Sequence, residues 1–174
     1  MRTRAKICGI TRVQDIKAVV DAGADAIGFV FFPPSPRSVN KAEAIALVQA
    51  VPTYVQVVGL FVNATADEIA EILKDVHLDI LQFHGDESPD FCEQFTYPYW
   101  RAVRVGAPNL ATEQEIVEYV QQFPHAQAFL FDAYSTGFGG AGVRFDLSLL
   151  NAVKQVLSPE KIIIAGGINV LNID

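Results

Sequence analysis

The chain has 174 residues, 51% of them hydrophobic, and a formal net charge of −7 at pH 7. That length suits one domain with a substantial core, and that charge argues against a nucleic-acid partner, although a local cluster of donors can still bind a small anion. No apolar run approaches the roughly 20 residues of a membrane span, no signal peptide opens the chain, and Cys8 and Cys92 lack disulfide-framework or zinc-site spacing, so a cytoplasmic protein with free thiols and no membrane contact is expected.

The chain opens on a strand predicted over 4–8 that runs out at Cys8. Thr11 and Gln14 then stand at the spacing of a capping box, and Ile16, Val19 and Val20 recur at helical period. A second strand, 25–31, leads into Phe32-Pro33-Pro34-Ser35-Pro36-Arg37-Ser38, a long loop stiffened by its prolines. Asn40 and Glu43 open the next helix, with Asn a weaker fit to the box than Ser or Thr. The third strand, 55–62, is followed by Thr65 and Glu68 and by an apolar stripe of Ile69, Ile72, Leu73 and Val76. The fourth, 78–84, closes in Gln82-Phe83-His84-Gly85-Asp86-Glu87, after which Ser88-Pro89 reads as an N-cap with proline at the first helical position. The fifth strand is 99–105, and Thr112 with Glu115 opens a helix striped by Ile116, Tyr119, Val120 and Phe123. The sixth, 127–132, ends at Asp132 and gives way to a long glycine-rich loop over 133–142. The seventh, 161–165, runs into Gly166-Gly167-Ile168-Asn169.

Strands alternating with helices in this way specify a parallel α/β sheet. The regular rhythm points to a (β/α)8 TIM barrel with its eighth βα unit missing, because such barrels normally need about 200 residues or more. The expectation is therefore one (β/α) barrel domain over residues 1–174, incomplete at its C-terminus.

Chemistry in this architecture gathers beyond the carboxyl ends of the strands. Cys8 and Asp132 both fall there, and a thiol and a carboxyl are a base and an acid in waiting. Period-two alternation puts Lys6 on the same face as Cys8, and a nearby ammonium stabilises a thiolate. An apolar setting such as the one ahead of Asp132 raises a carboxyl pKa, as a general acid requires near neutral pH. Arg37, presented by the proline-stiffened loop, has a fork that fits a carboxylate. Gln82 and His84 share a face and are positioned to line a pocket. Gly166 and Gly167 let backbone N–H groups approach an anion, aided by the following helix N-terminus, as at the usual phosphate site of a barrel. His84 with Asp86 and Glu87 has no second histidine at ligand spacing, so no metal is expected.

Lys6-Ile7-Cys8-Gly9-Ile10-Thr11, Gly28-Phe29-Val30-Phe31 with Ser35-Pro36-Arg37, and Val58-Gly59-Leu60-Phe61-Val62-Asn63 resemble the phosphoribosylanthranilate isomerase family. The match continues in order through Gln82-Phe83-His84-Gly85-Asp86-Glu87, the glycine-rich loop ending in Phe145-Asp146, and Ala165-Gly166-Gly167. The resemblance implies a (β/α)8 barrel and a step of tryptophan biosynthesis. That step is the Amadori rearrangement of N-(5-phosphoribosyl)anthranilate to 1-(o-carboxyphenylamino)-1-deoxyribulose 5-phosphate, with no metal and no cofactor. It further implies that Asp132 protonates the furanose ring oxygen and that Cys8 removes the proton from C2′. Arg37 would hold the anthranilate carboxylate, and the Gly166 and Gly167 amides part of the phosphate. The implied partner is a small phosphoribosyl substrate, on a monomer or homodimer.

The chain departs from the family pattern at Ala141, where the glycine-rich loop loses a hydroxyl, at Leu147 and Phe83, and at Val170 where a proline is usual. None of these removes a catalytic group. Two other readings stand beside the isomerase. One is another phosphosugar barrel, such as an epimerase or an indole-forming lyase, and the other is a non-catalytic anion-binding half-barrel.

Overall fold

A computed structural model describes residues 2–135, 142, 144–169 and 171–172. The glycine-rich stretch 136–141 and Val170, singled out above, lie outside the described residues. The chain resolves into two compact units, Met1–Asp86 and Glu87–Asp174.

The first unit carries four parallel strands in sequential order: β1 (Lys6–Cys8), β2 (Ala26–Phe31), β3 (Gln56–Phe61) and β4 (Ile80–Phe83). Every residue of β2 and β4 is buried, as are all of β3 but Gln56. Burial on both faces explains why these strands read as continuous apolar runs rather than as alternating ones. Three helices connect them: α1 (Val13–Asp21), α2 (Lys41–Val48) and α3 (Ala66–Leu73). The boxes at Asn40 and Thr65 form as expected, each side chain accepting from the backbone N–H three residues on while Glu43 or Glu68 returns the bond. A network ties α2 to α3, with Lys41 Nζ reaching Glu71 at 2.7 Å and Asp75 at 2.5 Å.

The box expected at Thr11 does not form. Arg12 is the N-cap and makes no side-chain cap bond; its guanidinium instead grips Asp15 in the first turn at 2.8 Å. The cap is whichever residue last holds extended dihedrals, and with Arg12 at φ −136° and ψ 140° Thr11 lies one residue outside.

The second unit carries β5 (Tyr99–Val105), β6 (Ala128–Ala133) and β7 (Ile162–Ile164), again parallel, with β6 between the other two. Ahead of β5 stands α4 (Pro89–Glu93), where Ser88 Oγ accepts from Phe91 N and Pro89 fills the first turn. Between β5 and β6, α5 (Glu113–Gln121) opens on the expected box at Thr112 and buries Ile116 and Val120. Between β6 and β7 the helix is fragmentary: a 3₁₀ turn over Leu147–Leu150, then the single turn α6 (Val153–Val156). Asp146 binds the Ser148 N–H only two residues on, a tight local bond that competes with α-helical winding. Glu113 then accepts from the Ala152 N–H at 2.8 Å, holding this segment to the start of α5.

The interior of this unit contains a buried ion pair. Arg101 Nη1 lies 2.9 Å from Glu87 Oε2, with 2% and 3% of the two side chains exposed. The guanidinium also stacks over the rings of Tyr119 and Phe123, at 5.6 and 5.1 Å, on the side of the sheet covered by α5.

Candidate active site

In the first unit, Cys8 is the last residue of β1. Its register partner is Gly28, and both Cys8 Sγ and Lys6 Nζ converge on the space above that glycine. A Cβ at Gly28 would stand 2.8 Å from the sulfur and 2.9 Å from the ammonium. Lys6 and Cys8 therefore share a face, as the alternation predicts, and Gly28 leaves the room that both side chains enter. A glycine inside a strand was the available signal for such a close approach, and its role is apparent only in the structure.

Arg37 reaches the same strand end. Its Nη1 donates to the Cys8 carbonyl at 2.9 Å, and its side chain lies so close over Gly9 that a Cβ there would stand 2.8 Å from both Cδ and Nη1. Gly9 also takes φ +83°, a conformation that costs glycine little. The remaining guanidinium N–H groups make no bond among the described residues. The loop that presents Arg37 is turned back by Ser35 Oγ, which accepts from Arg37 N, and by an isolated bridge between Val30 and Ser38.

Gln82 lies in β4 and His84 directly follows its last residue. The strand registers run Cys8, Gly28, Val58, Ile80 across the four strands, and Gln82 and His84 follow Ile80 at intervals of two. Side chains of register partners in a parallel sheet share a face, so both residues are on the face of Cys8, nearer the carboxyl edge. Gln82 Nε2 lies 3.0 Å from His84 Nδ1, with 1% and 4% of the two residues exposed. The loop beyond is set by Asn63, in the left-handed region at φ 51°, whose Oδ1 accepts from Asp86 N at 2.7 Å.

In the second unit, Asp132 is the penultimate residue of β6 and only 8% exposed. Its register partner on β5 is Arg104, itself half-buried, whose guanidinium carbon lies 5.9 Å from the Tyr134 ring centroid. Arg101 and Phe129 define the helix-covered side of this sheet, so Asp132 and Arg104, one residue out of phase with them, are on the opposite side. Arg104 did not emerge from sequence reasoning; a cation near the end of a predicted strand was the only sign of it.

Gly166 and Gly167 follow β7, and Ala165 N donates to Phe131 O at 2.8 Å, which brings the pair beside the end of β6. Both take positive φ, 78° and 63°. Their N–H groups make no bond among the described residues. Beyond them, Asn169 N donates to Asn172 Oδ1, and both asparagine amides donate to the Gly167 carbonyl.

Cys92 is excluded from the chemistry. It is fully buried in α4, and burial pushes its thiol up to about 12, leaving no thiolate at neutral pH. The same burial raises the phenols of Tyr99 and Tyr119 above their ordinary range.

Comparison with known proteins finds a family model described as N-(5'phosphoribosyl)anthranilate (PRA) isomerase matching residues 5–174. An N-(5'-phosphoribosyl)anthranilate isomerase from Bordetella pertussis is 48% identical over 173 residues, which is 99% of this chain and 79% of that protein. The solved phosphoribosyl anthranilate isomerase from Thermotoga maritima superposes with a TM-score of 0.84 at 30% identity, over 99% of this chain and 80% of its own. Monomers generated from the dimeric enzyme of that organism superpose at 0.79 with 29% identity, over 97% of this chain and 77% of theirs. An isomerase solved in complex with reduced 1-(o-carboxyphenylamino)-1-deoxyribulose 5-phosphate superposes at 0.81, with 29% identity over 98% of this chain and 79% of its own.

Proposed function

The chain belongs to the N-(5'-phosphoribosyl)anthranilate isomerase family, and from that membership we propose how its own residues divide the chemistry. Its fold is α/β, of the (β/α)8 barrel type. It is an isomerase that converts N-(5-phosphoribosyl)anthranilate to 1-(o-carboxyphenylamino)-1-deoxyribulose 5-phosphate in tryptophan biosynthesis.

Asp132 is the general acid. It gives its proton to the furanose ring oxygen, the C1′–O bond breaks, and the anthranilate nitrogen becomes a protonated Schiff base with C1′. Cys8, as thiolate, then takes the proton from C2′, and the electron pair of that bond flows toward the iminium nitrogen to give the enolamine. Tautomerisation moves a proton from the C2′ hydroxyl to C1′ and leaves the ketose. Asp132 has lost one proton and Cys8 has gained one, so exchange with solvent resets both groups.

Arg37 holds the anthranilate carboxylate, to which its unused N–H groups are suited. Gly166 and Gly167 supply amides to the phosphate, and Gln82 and His84 line the substrate site from β4. Residues 1–174 belong to one barrel domain, which acts in the cytoplasm on a small phosphoribosyl substrate and without nucleic acid, as a monomer or homodimer. No described helix is long and apolar enough to cross a membrane.

The observation that carries this reading is the end of β1, where Lys6 Nζ and Cys8 Sγ share the space over Gly28 while Arg37 binds the Cys8 carbonyl. Isomerase turnover of Cys8→Ala and of Asp132→Asn tests it. Each variant is expected to lose about 10²–10⁴-fold in kcat with its fold intact. Undiminished turnover in either would overturn the acid–base assignment.

A further inference from the structure

Gln82 is buried, yet its carboxamide is only half used. Nε2 meets His84 Nδ1 at 3.0 Å, while Oε1 is buried and has no partner among the described residues. A carboxamide NH₂ can only donate. With the amide in this orientation the Nδ1 that it faces accepts, which leaves the ring proton on Nε2.

We propose that Gln82 is a positioning residue that holds the His84 imidazole in its Nε2–H tautomer, so that the ring offers the substrate a hydrogen-bond donor and not a base. The proposal rests on His84 belonging to the substrate site. It also accounts for the orphaned oxygen. A buried acceptor with no protein donor is costly, and a hydroxyl of the bound phosphoribosyl group supplies the missing bond. The dyad thus presents one donor and one acceptor from a single strand end, a pattern that suits a hydroxylated sugar. It also keeps a second proton acceptor away from the carbon skeleton, where it would compete with Cys8.

The reverse orientation of the amide would set Oε1 against Nδ1 and require the proton there, so the tautomer decides the matter. Long-range nitrogen–proton correlations on the free, ¹⁵N-histidine-labelled chain read it directly, with His84 assigned through a His84→Asn variant. The expected pattern is a bare Nδ1 and a protonated Nε2. Gln82→Glu replaces the donor with acceptors in nearly the same volume; the proton is expected to move to Nδ1 and kcat/KM to fall about tenfold or more. Gln82→Leu, which buries no charge, is expected to show both tautomers. A wild-type ring protonated at Nδ1, or the wild-type pattern surviving in both variants, would overturn the lock. A moved proton with unchanged kcat/KM would overturn its role toward substrate. A wild-type chain without isomerase turnover would instead sink the assignment of function, and it registers in a separate assay.

Discussion

Gly28 holds open the space that Cys8 fills. The two are register partners on adjacent strands, and a methyl group on Gly28 would stand 2.8 Å from the Cys8 sulfur and 2.9 Å from the Lys6 ammonium. The long lysine chain can yield, but the sulfur sits one bond from its Cβ and moves only by changing rotamer. Gly28→Ala is therefore expected to fold and to lose about 10–100-fold in kcat by misplacing the thiol. Steady-state kinetics beside a far-ultraviolet spectrum checks this, and wild-type kcat in a well-folded variant would sink the idea.

Arg37→Ala addresses binding. Because the anthranilate carboxylate is not itself transformed, its partner acts equally on ground and transition states. KM should rise about 10–100-fold, the loss of a charge-assisted bond, with kcat held within a few-fold. Arg37→Lys keeps the charge without the fork and should fall between. An effect on kcat with KM intact would contradict the role.

The Arg101–Glu87 pair concerns stability. Removing one partner strands the other charge in the interior, so Arg101→Met and Glu87→Gln should each cost about 3–5 kcal/mol in urea unfolding. Replacing both by apolar residues should recover much of that, because the desolvation of both charges is then relieved as well. Single variants as stable as the parent would show that the pair contributes nothing.

Acid should weaken the fold by a defined route. Hydrogen bonds from Lys41 and Lys74 hold the Glu71 carboxyl down to about 2, and the capping bonds from the Thr65 and Thr112 segments lower Glu68 and Glu115. A carboxyl depressed by folding binds its proton more readily in the unfolded chain. The stability it contributes is therefore present above the ordinary glutamate range and lost as pH falls toward 2. These groups are exposed, so the effect is screened by salt. The urea midpoint should drop between about pH 5 and pH 3, and less so in Glu71→Gln; a midpoint flat across that window in low salt would refute it.

Much of this was legible in the residues alone. Helix starts at Asn40, Thr65, Ser88 and Thr112 read correctly because a cap is made within four residues of itself. Cys8, Asp132, Gln82 and His84 stood at strand ends because an apolar run and its termination are also local. Thr11 misled, because two residues at the right spacing cap a helix only if the backbone turns at the first of them, and here it turned at Arg12.

The alternation of strands and helices, the parallel sheet this implies, and the chemical types at each strand end are written in the amino-acid order alone. All of these follow from period, capping and chain termination over a few residues. It took the folded chain to bring Gly28 over the thiol, Arg37 back onto the Cys8 carbonyl, Arg104 into register with Asp132, and Arg101 to Glu87. Each depends on strand register or loop path, where groups far apart along the chain are chosen for one another by packing, and no local preference encodes that choice.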